Sequence, residues 1–240
     1  MYSKTVLITG GTRGLGKIIA ELFLKNEYNI VLAARNVYDC NFPKEFYKYI
    51  KTDVRKVVDL QKAVSDTIEW AGSIDVLINN AYVGKALNNS FLKTKAIDYQ
   101  ESFLYNILPT IKITQEAIKI FKLKKFGKII NILSSYILNA PPLGTSIYVA
   151  NKAYLLELSK VWSKELNKFN ITSNSISPDL MITNLTNDID ERIIEQITKA
   201  HPYNKLLDTT EVAAVVDFLI KSSQQINGVN IPINAGQEII

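Results

Sequence analysis

Tyr148 and Lys152 stand four residues apart in the segment SIYVANKAYLLEL, Ser146 to Leu158. On a helix that spacing puts both side chains on one face. Leu155, Leu158, Val161 and Trp162 continue the same segment as an apolar stripe. A phenol beside an ammonium is a candidate acid–base pair. An unperturbed Tyr titrates at about 10 and is a poor proton-transfer group at neutral pH. A nearby positive charge favours the phenolate and lowers that value, and acid–base work is most efficient near the working pH. Taken alone, the pair is equally a half-buried Tyr and an exposed Lys, so its meaning depends on what the rest of the chain brings to it.

A second stretch that could do chemistry is TGGTRGLG, Thr9 to Gly16, which follows an apolar run and opens a helical pattern. In that context a glycine-rich turn predicts dinucleotide binding. The glycines allow a sharp turn and close approach to a pyrophosphate, and the helix start offers free N–H groups. About 20 residues further on, such folds place an acid on the adenosine ribose. Here the chain reads VLAARN: Ala34 takes the acid's place, Arg35 follows, and Arg13 lies inside the glycine turn. Two cations and no acid suit a ribose 2′-phosphate, which predicts NADP(H) in preference to NAD(H). Asp39 is a rival acid, set beyond the expected strand end.

These residues need a scaffold. Short apolar runs at 5–9, 29–34, 47–52, 75–80, 127–134, 171–177 and 227–233 predict seven strands. Several are apolar almost throughout, as strands covered on both faces are. Helical patterns fall between them at 14–26, 55–70, 97–123, 147–168, 190–200 and 209–221, the last opened by Asp208 and Glu211 as a capping box. This alternation predicts one α/β domain over residues 1–240: a doubly wound parallel sheet with helices on both faces.

Composition narrows the function classes. The chain has 240 residues, 47% of them hydrophobic, enough for one full core. No apolar run reaches the length of a membrane span, and the first one reads as a strand rather than a signal peptide. A single Cys (Cys40) excludes an internal disulfide framework and fits a reducing cytoplasm, and with a single His (His201) no metal site is expected. The net charge of +5 raises nucleic acid as a partner. The lysines are scattered, however, and the densest group, Lys119 to Lys128, falls at a helix end, where it meets the helix dipole. No nucleic-acid or membrane partner is expected.

Further motifs carry a resemblance. In order along the chain stand Thr9-Gly10-x-x-x-Gly14-x-Gly16, TDV (52–54), NNAY (79–82), YNILP (105–109), NILSS (131–135), YVANK (148–152), SPDLMIT (177–183) and the closing NGVNIPINAGQ. Together they resemble the short-chain dehydrogenase/reductase family, in its single-domain branch of NADP-dependent carbonyl reductases similar to 3-oxoacyl carrier-protein reductases. The resemblance covers essentially the whole chain and implies a Rossmann-type sheet of about seven strands. It implies that Tyr148 is the general acid/base, that Lys152 both lowers the Tyr pKa and binds the nicotinamide ribose, and that a Ser polarises the substrate carbonyl. The usual spacing of thirteen residues before the Tyr points to Ser135, with Ser134 as the alternative. It implies that Asn106 holds a proton-relay water. It assigns the cofactor to Gly10, Thr12, Arg13, Gly14, Leu15, Gly16, Arg35, Asp53 (on the adenine amino group), Val54, Asn80, Ala81, Tyr148, Lys152, Pro178, Met181 and Thr183.

The resemblance also implies a homodimer or homotetramer built on the two longest helices, and a substrate lid over 184–206. Two positions depart from the family's glycines, Tyr82 and Asp179. The lid segment and its surroundings are polar, with Asn184, Asn187, Asp188, His201, Tyr203, Asn204, Tyr136, Asn139 and Asp179. That predicts a small polar ketone, such as a keto-sugar or its nucleotide derivative, with a 3-oxoacyl thioester as the alternative. The same fold also carries sugar-nucleotide epimerases and dehydratases, and binding proteins that hold NADP(H) without turning it over.

Overall fold

A computed structural model describes residues 4–37, 42–87, 89–187 and 189–237. Its seven strands are β1 (Thr5–Thr9), β2 (Asn29–Ala34), β3 (Tyr47–Lys51), β4 (Val76–Asn79), β5 (Gly127–Ile132), β6 (Ile171–Pro178) and β7 (Asn230–Ile233). They form one parallel sheet in the order β3-β2-β1-β4-β5-β6-β7. The helices between them are α1 (Gly14–Lys25), α2 (Val57–Ala71), α3 (Ala96–Lys124), α4 (Ser146–Leu166), α5 (Glu191–Ala200) and α6 (Thr209–Lys221). This is a Rossmann-like, doubly wound architecture.

The near-continuous apolar strands are explained by two cores. Alternate residues of a strand point to opposite faces. Val6, Ile8, Ile30, Leu32, Val76 and Ile78 meet Ile19 and Phe23 of α1 and Val212, Val216 and Ile220 of α6. Leu7, Val31, Ala33, Leu77 and Ile129 meet Leu60 and Val64 of α2, Ile113 and Phe121 of α3 and Leu166 of α4. A one-residue slip in any central strand would exchange these sets, so register is fixed by burial on both sides.

Helix ends follow local chemistry. Asp208 and Glu211 form the expected capping box at α6. Lys122 and Lys124 occupy the last turn of α3, and Lys124 pairs with Asp75, so the basic cluster is a helix end. The buried Lys128 donates to the carbonyls of Leu219 and Ser222 at 2.8 and 2.6 Å, closing the C-terminus of α6. α3 runs on through Pro109. Among the described residues no helix is long and apolar enough to cross a membrane.

Candidate active site

The carboxyl ends of β1, β2, β4, β5 and β6 open into one cavity of about 520 Å³. It lies where the strand order reverses between β1 and β4, the place where open α/β sheets hold ligands. Gly10, Thr12, Arg13, Gly14 and Leu15 line it from the turn after β1. Gly10 has φ +67°, which favours glycine, and its N–H donates to Ala33 O at 2.8 Å. Gly16 lies beneath the turn, where a Cβ would stand 2.5 Å from Gly10 O and 2.7 Å from Asn80 Nδ2. The first glycine therefore makes the turn and the last lets α1 pack against it. Asn80 Nδ2 donates to Thr9 O and Gly10 O at 3.0 and 3.1 Å, and Thr9 Oγ1 accepts from the N–H groups of Asn80 and Ala81 at 3.0 and 3.1 Å. The ends of β1 and β4 are locked together by these four bonds.

On the β2 side the wall is Ala34, Arg35 and Asn36, with Thr52 and Val54 after β3. Arg13 and Arg35 are both exposed. Asp53 does not line the cavity. Its carboxylate accepts from Arg55 Nε and Nη2 at 2.9 and 2.6 Å, and chiefly these bonds hold its pKa down to about 2. Arg55 has no motif around it that points to this pairing. The rival acid Asp39 and the lone Cys40 lie outside the described residues.

On the β5–β6 side the ionisable side chains are buried. Tyr148 and Lys152 are 7% and 5% exposed. Lys152 Nζ donates to Ile132 O at 2.7 Å and lies 5.6 Å from the centre of the Tyr148 ring. Burial lowers the Lys152 pKa to about 8. Burial is also the largest effect on Tyr148 and pushes its phenol up, a hydrogen bond from Ser134 pulls it down, and Tyr82 and Tyr136 push it up. The expected lowering by Lys152 is therefore not found here. Desolvation dominates, and the ammonium is engaged by a backbone carbonyl.

The two serines are placed differently. Ser134 lines the cavity and bonds Tyr148, whereas the expected Ser135 does not line it. Ser135 Oγ donates to Oδ1 of the wall residue Asp179 at 3.2 Å. β5 ends at Ile132 and a short 3-10 turn starts at Ser135, so adjacent residues face different ways.

Asn106 stays behind the wall as well. Its Oδ1 accepts from Val83 N at 2.7 Å, and its Nδ2 donates to Val83 O at 3.1 Å and to Ser102 O at 3.0 Å. It clamps the loop after β4, and its own carbonyl accepts from Thr110 Oγ1 at 2.7 Å. Ser102 and Asn151 join this network and were not singled out in the sequence. Their signal was spacing: Ser102 precedes Asn106 by one helical turn, and Asn151 follows Tyr148 by three residues.

After β6, Pro178, Asp179, Met181 and Thr183 complete the wall, with Asn184, Leu185 and Thr186 beyond them. Thr183 N donates to Thr186 Oγ1 at 2.8 Å, tying this turn across from Gly14. Of the polar residues expected around the substrate, Tyr136, Asp179 and Asn184 line the cavity, and Asn139, Asn187, His201, Tyr203 and Asn204 do not. His201 is buried in its own turn, its Nδ1 accepting from Tyr203 N at 3.1 Å. Asp188 lies outside the described residues. Among the described residues no cluster of His, Cys, Asp and Glu could hold a metal ion.

Comparison with known proteins gives this geometry a family. The pattern of the short chain dehydrogenase family matches residues 4–193. The chain belongs to the short-chain dehydrogenase family. It is 29% identical over 223 residues to carbonyl reductase family member 4 of Xenopus laevis, covering 92% of each chain. It is 27% identical over 236 residues to the 3-oxoacyl-[acyl-carrier-protein] reductase MabA of Mycobacterium tuberculosis, covering 98% of this chain and 92% of that one. The structure of ElxO with NADP bound superposes with a TM-score of 0.88 at 28% identity over 98% of both chains. The chain is thus a member of an oxidoreductase family with nicotinamide-binding structural neighbours. Its two departures from the short-chain dehydrogenase glycines, Tyr82 and Asp179, both line the cavity. Asp179 Oδ2 accepts from Gln237 Nε2 at 2.6 Å, so with Ser135 it ties the turns after β5 and β7 together.

Proposed function

We propose that this protein is an NADP(H)-dependent reductase of a small carbonyl compound, or the reverse dehydrogenase, with Tyr148 as the proton donor and acceptor. The observation that carries the reading is the buried Tyr148–Ser134–Lys152 cluster on one side of a cleft whose other side holds the glycine turn, Arg13 and Arg35. The residues present fit the cofactor. α1 starts behind Gly14 with no side-chain cap and no acid in its first turn, which suits a pyrophosphate. Arg13 and Arg35 suit a 2′-phosphate. Thr52, Val54 and the neighbouring Asp53 would hold the adenine end, and Asn80, Ala81, Lys152, Pro178, Met181 and Thr183 would hold the nicotinamide half.

A reduced nicotinamide bound there supplies a hydride to the carbonyl carbon. The chain's own residues handle the oxygen. Ser134 donates a hydrogen bond to it and polarises the carbonyl. Tyr148, kept protonated through neutral pH by burial, gives that oxygen its proton as negative charge develops. Lys152, charged below about pH 8, stabilises the phenolate left behind. Asn106 acts by holding the loop at Val83.

Tyr136, Asp179 and Asn184 in the wall favour a small polar ketone, with the 184–206 segment as its lid. The deciding assay is NADPH oxidation with a set of keto-sugars beside an acetoacetyl thioester. Turnover of the sugars supports the polar substrate, and turnover of the thioester alone overturns it. α3 and α4 leave Leu104, Leu108, Tyr154 and Val161 exposed, and a homodimer or homotetramer would cover them. A monomeric mass in light scattering would contradict that assembly.

A further inference from the structure

Tyr82 plays no part in the reaction as written, yet it touches both members of the proton-transfer pair. Its ring meets the Tyr148 ring edge-on, with centroids 5.0 Å apart and planes at 79°. Lys152 Nζ lies 5.4 Å from the centre of the Tyr82 ring and 5.6 Å from that of Tyr148. The ammonium is thus flanked by two aromatic rings and bonded to one backbone carbonyl, that of Ile132. The one acid in the described cavity wall, Asp179, is engaged by Ser135 and Gln237 and acts on Tyr136 rather than on Lys152.

Tyr82 is itself held firmly. Its hydroxyl hydrogen-bonds Ser102 of α3 and Asn151 of α4. Ser102 Oγ accepts from Asn151 Nδ2 at 2.7 Å and from Asn106 Nδ2 at 3.2 Å. The peptide next to Tyr82 is clamped by Asn106 through Val83. An aromatic ring near an ammonium attracts it, more strongly when both are desolvated, and edge-to-face ring pairs have a preferred geometry. At this site, where among the described residues no carboxylate faces the buried Lys, those two effects act together.

We propose that Tyr82 is a positioning residue for the proton-transfer pair: its ring takes the place of a counter-ion for Lys152 and fixes the ring of Tyr148, and the Asn106–Ser102–Asn151 network holds Tyr82 for that task. The catalytic part of this rests on the reductase reading above. The effect on Lys152 does not. Replacing the ring by an aliphatic chain keeps the site dry and removes the attraction, so the charged form of Lys152 loses support and its titration moves to lower pH.

The test compares full-length wild type, Tyr82→Phe and Tyr82→Leu. The Lys152 side chain is titrated by NMR on lysine-labelled protein without cofactor. kcat and KM are measured with NADPH and the carbonyl compound that the wild type turns over fastest. Tyr82→Leu is expected to lower the Lys152 midpoint by roughly 0.5–1 pH unit. It should also cut kcat at neutral pH by about tenfold, the effect of about 1.4 kcal/mol, with KM little changed. Tyr82→Phe keeps the ring but frees it from Ser102 and Asn151, so its midpoint should stay close to wild type while kcat falls between those of the wild type and Tyr82→Leu. Should Tyr82→Leu unfold, Tyr82→Met takes its place. An unchanged midpoint in the aliphatic variant overturns the proposal, as does a loss that appears in KM alone. A wild type that binds NADPH but reduces no carbonyl would sink the reductase reading, while the titration would still decide the role of Tyr82.

Discussion

The two ends of the cavity are built on opposite physical terms. At the β5–β6 end, Tyr148, Lys152 and Ser134 are buried, and each polar atom has a designated partner. At the β2–β3 end, Arg13 and Arg35 are exposed, and the Asp53–Arg55 pair is half in water. Charge in a dry site interacts strongly and shifts pKa values, whereas exposed charge is screened by solvent and salt. On the proposed function, chemistry belongs to the first end and recognition to the second, and substitutions at the two should differ in size and in salt dependence.

The largest effect should come from Tyr148→Phe, which removes only the proton. NADPH binding, followed by fluorescence, should persist while turnover falls about 10²–10⁴-fold. Next, Ser134→Ala should lower kcat about 10²-fold as a lost oxyanion donor, and Ser135→Ala should stay within about fivefold, the worth of one ordinary hydrogen bond. Comparable losses in both would erase the distinction drawn between the serines. Lys152→Met sharpens the contrast through stability. The folded pKa of Lys152, about 8, lies below its ordinary 10.5, so the unfolded chain binds the extra proton between those values and the native state carries the full cost of the buried charge below about pH 8. Denaturant melts should find the Met variant more stable at pH 7 by up to about 3 kcal/mol, with the gap closing as pH rises from about 8 towards 10.5.

At the exposed end the effects are smaller. Arg35→Ala should weaken NADPH binding about tenfold, the loss of one charged hydrogen bond. Added salt should narrow that difference, and NADH affinity should be unchanged. Equal use of NADH and NADPH by the wild type would remove the reason for the prediction. Arg55→Ala should have only a small effect on stability, as exposed pairs do. Asp53 is lowered from 3.8 to about 2, so this small contribution is present above pH 3.8 and is lost as pH falls through about 2, which acid melts of the two proteins can follow.

The sheet was legible in the sequence because β1, β2 and β4 are apolar on both faces and alternate with helical patterns, whereas β6, buried but rich in Ser, Thr and Asn, was placed mainly by its position in that alternation. β7 starts at Asn230 rather than near 227, because Gly228 turns with φ +80° and Asn227 Oδ1 is used by Ser173 N. The cavity's glycine turn, Arg13, Arg35, Tyr148 and Lys152 were legible from spacing. The choice between Ser134 and Ser135 was not: a residue count cannot tell which of two neighbours faces the cavity where a strand passes into a 3-10 turn. The direction of the Tyr148 shift was hidden for a related reason. Spacing places Lys152 near the phenol, but burial and the Ile132 carbonyl decide the outcome. The setting of Tyr82 comes from Ser102 and Asn151 on two separate helices, a tertiary fact with no local trace.

The central claim is that a protonated Tyr148 works beside a charged Lys152. Single-turnover oxidation of bound NADPH by a carbonyl substrate, followed by stopped flow from pH 6 to pH 10, tests it most directly. The rate constant should be level through neutrality and fall with a midpoint near pH 8, where Lys152 loses its charge. A rate constant that climbs through that range would mean that a deprotonated group drives the step, and would contradict it.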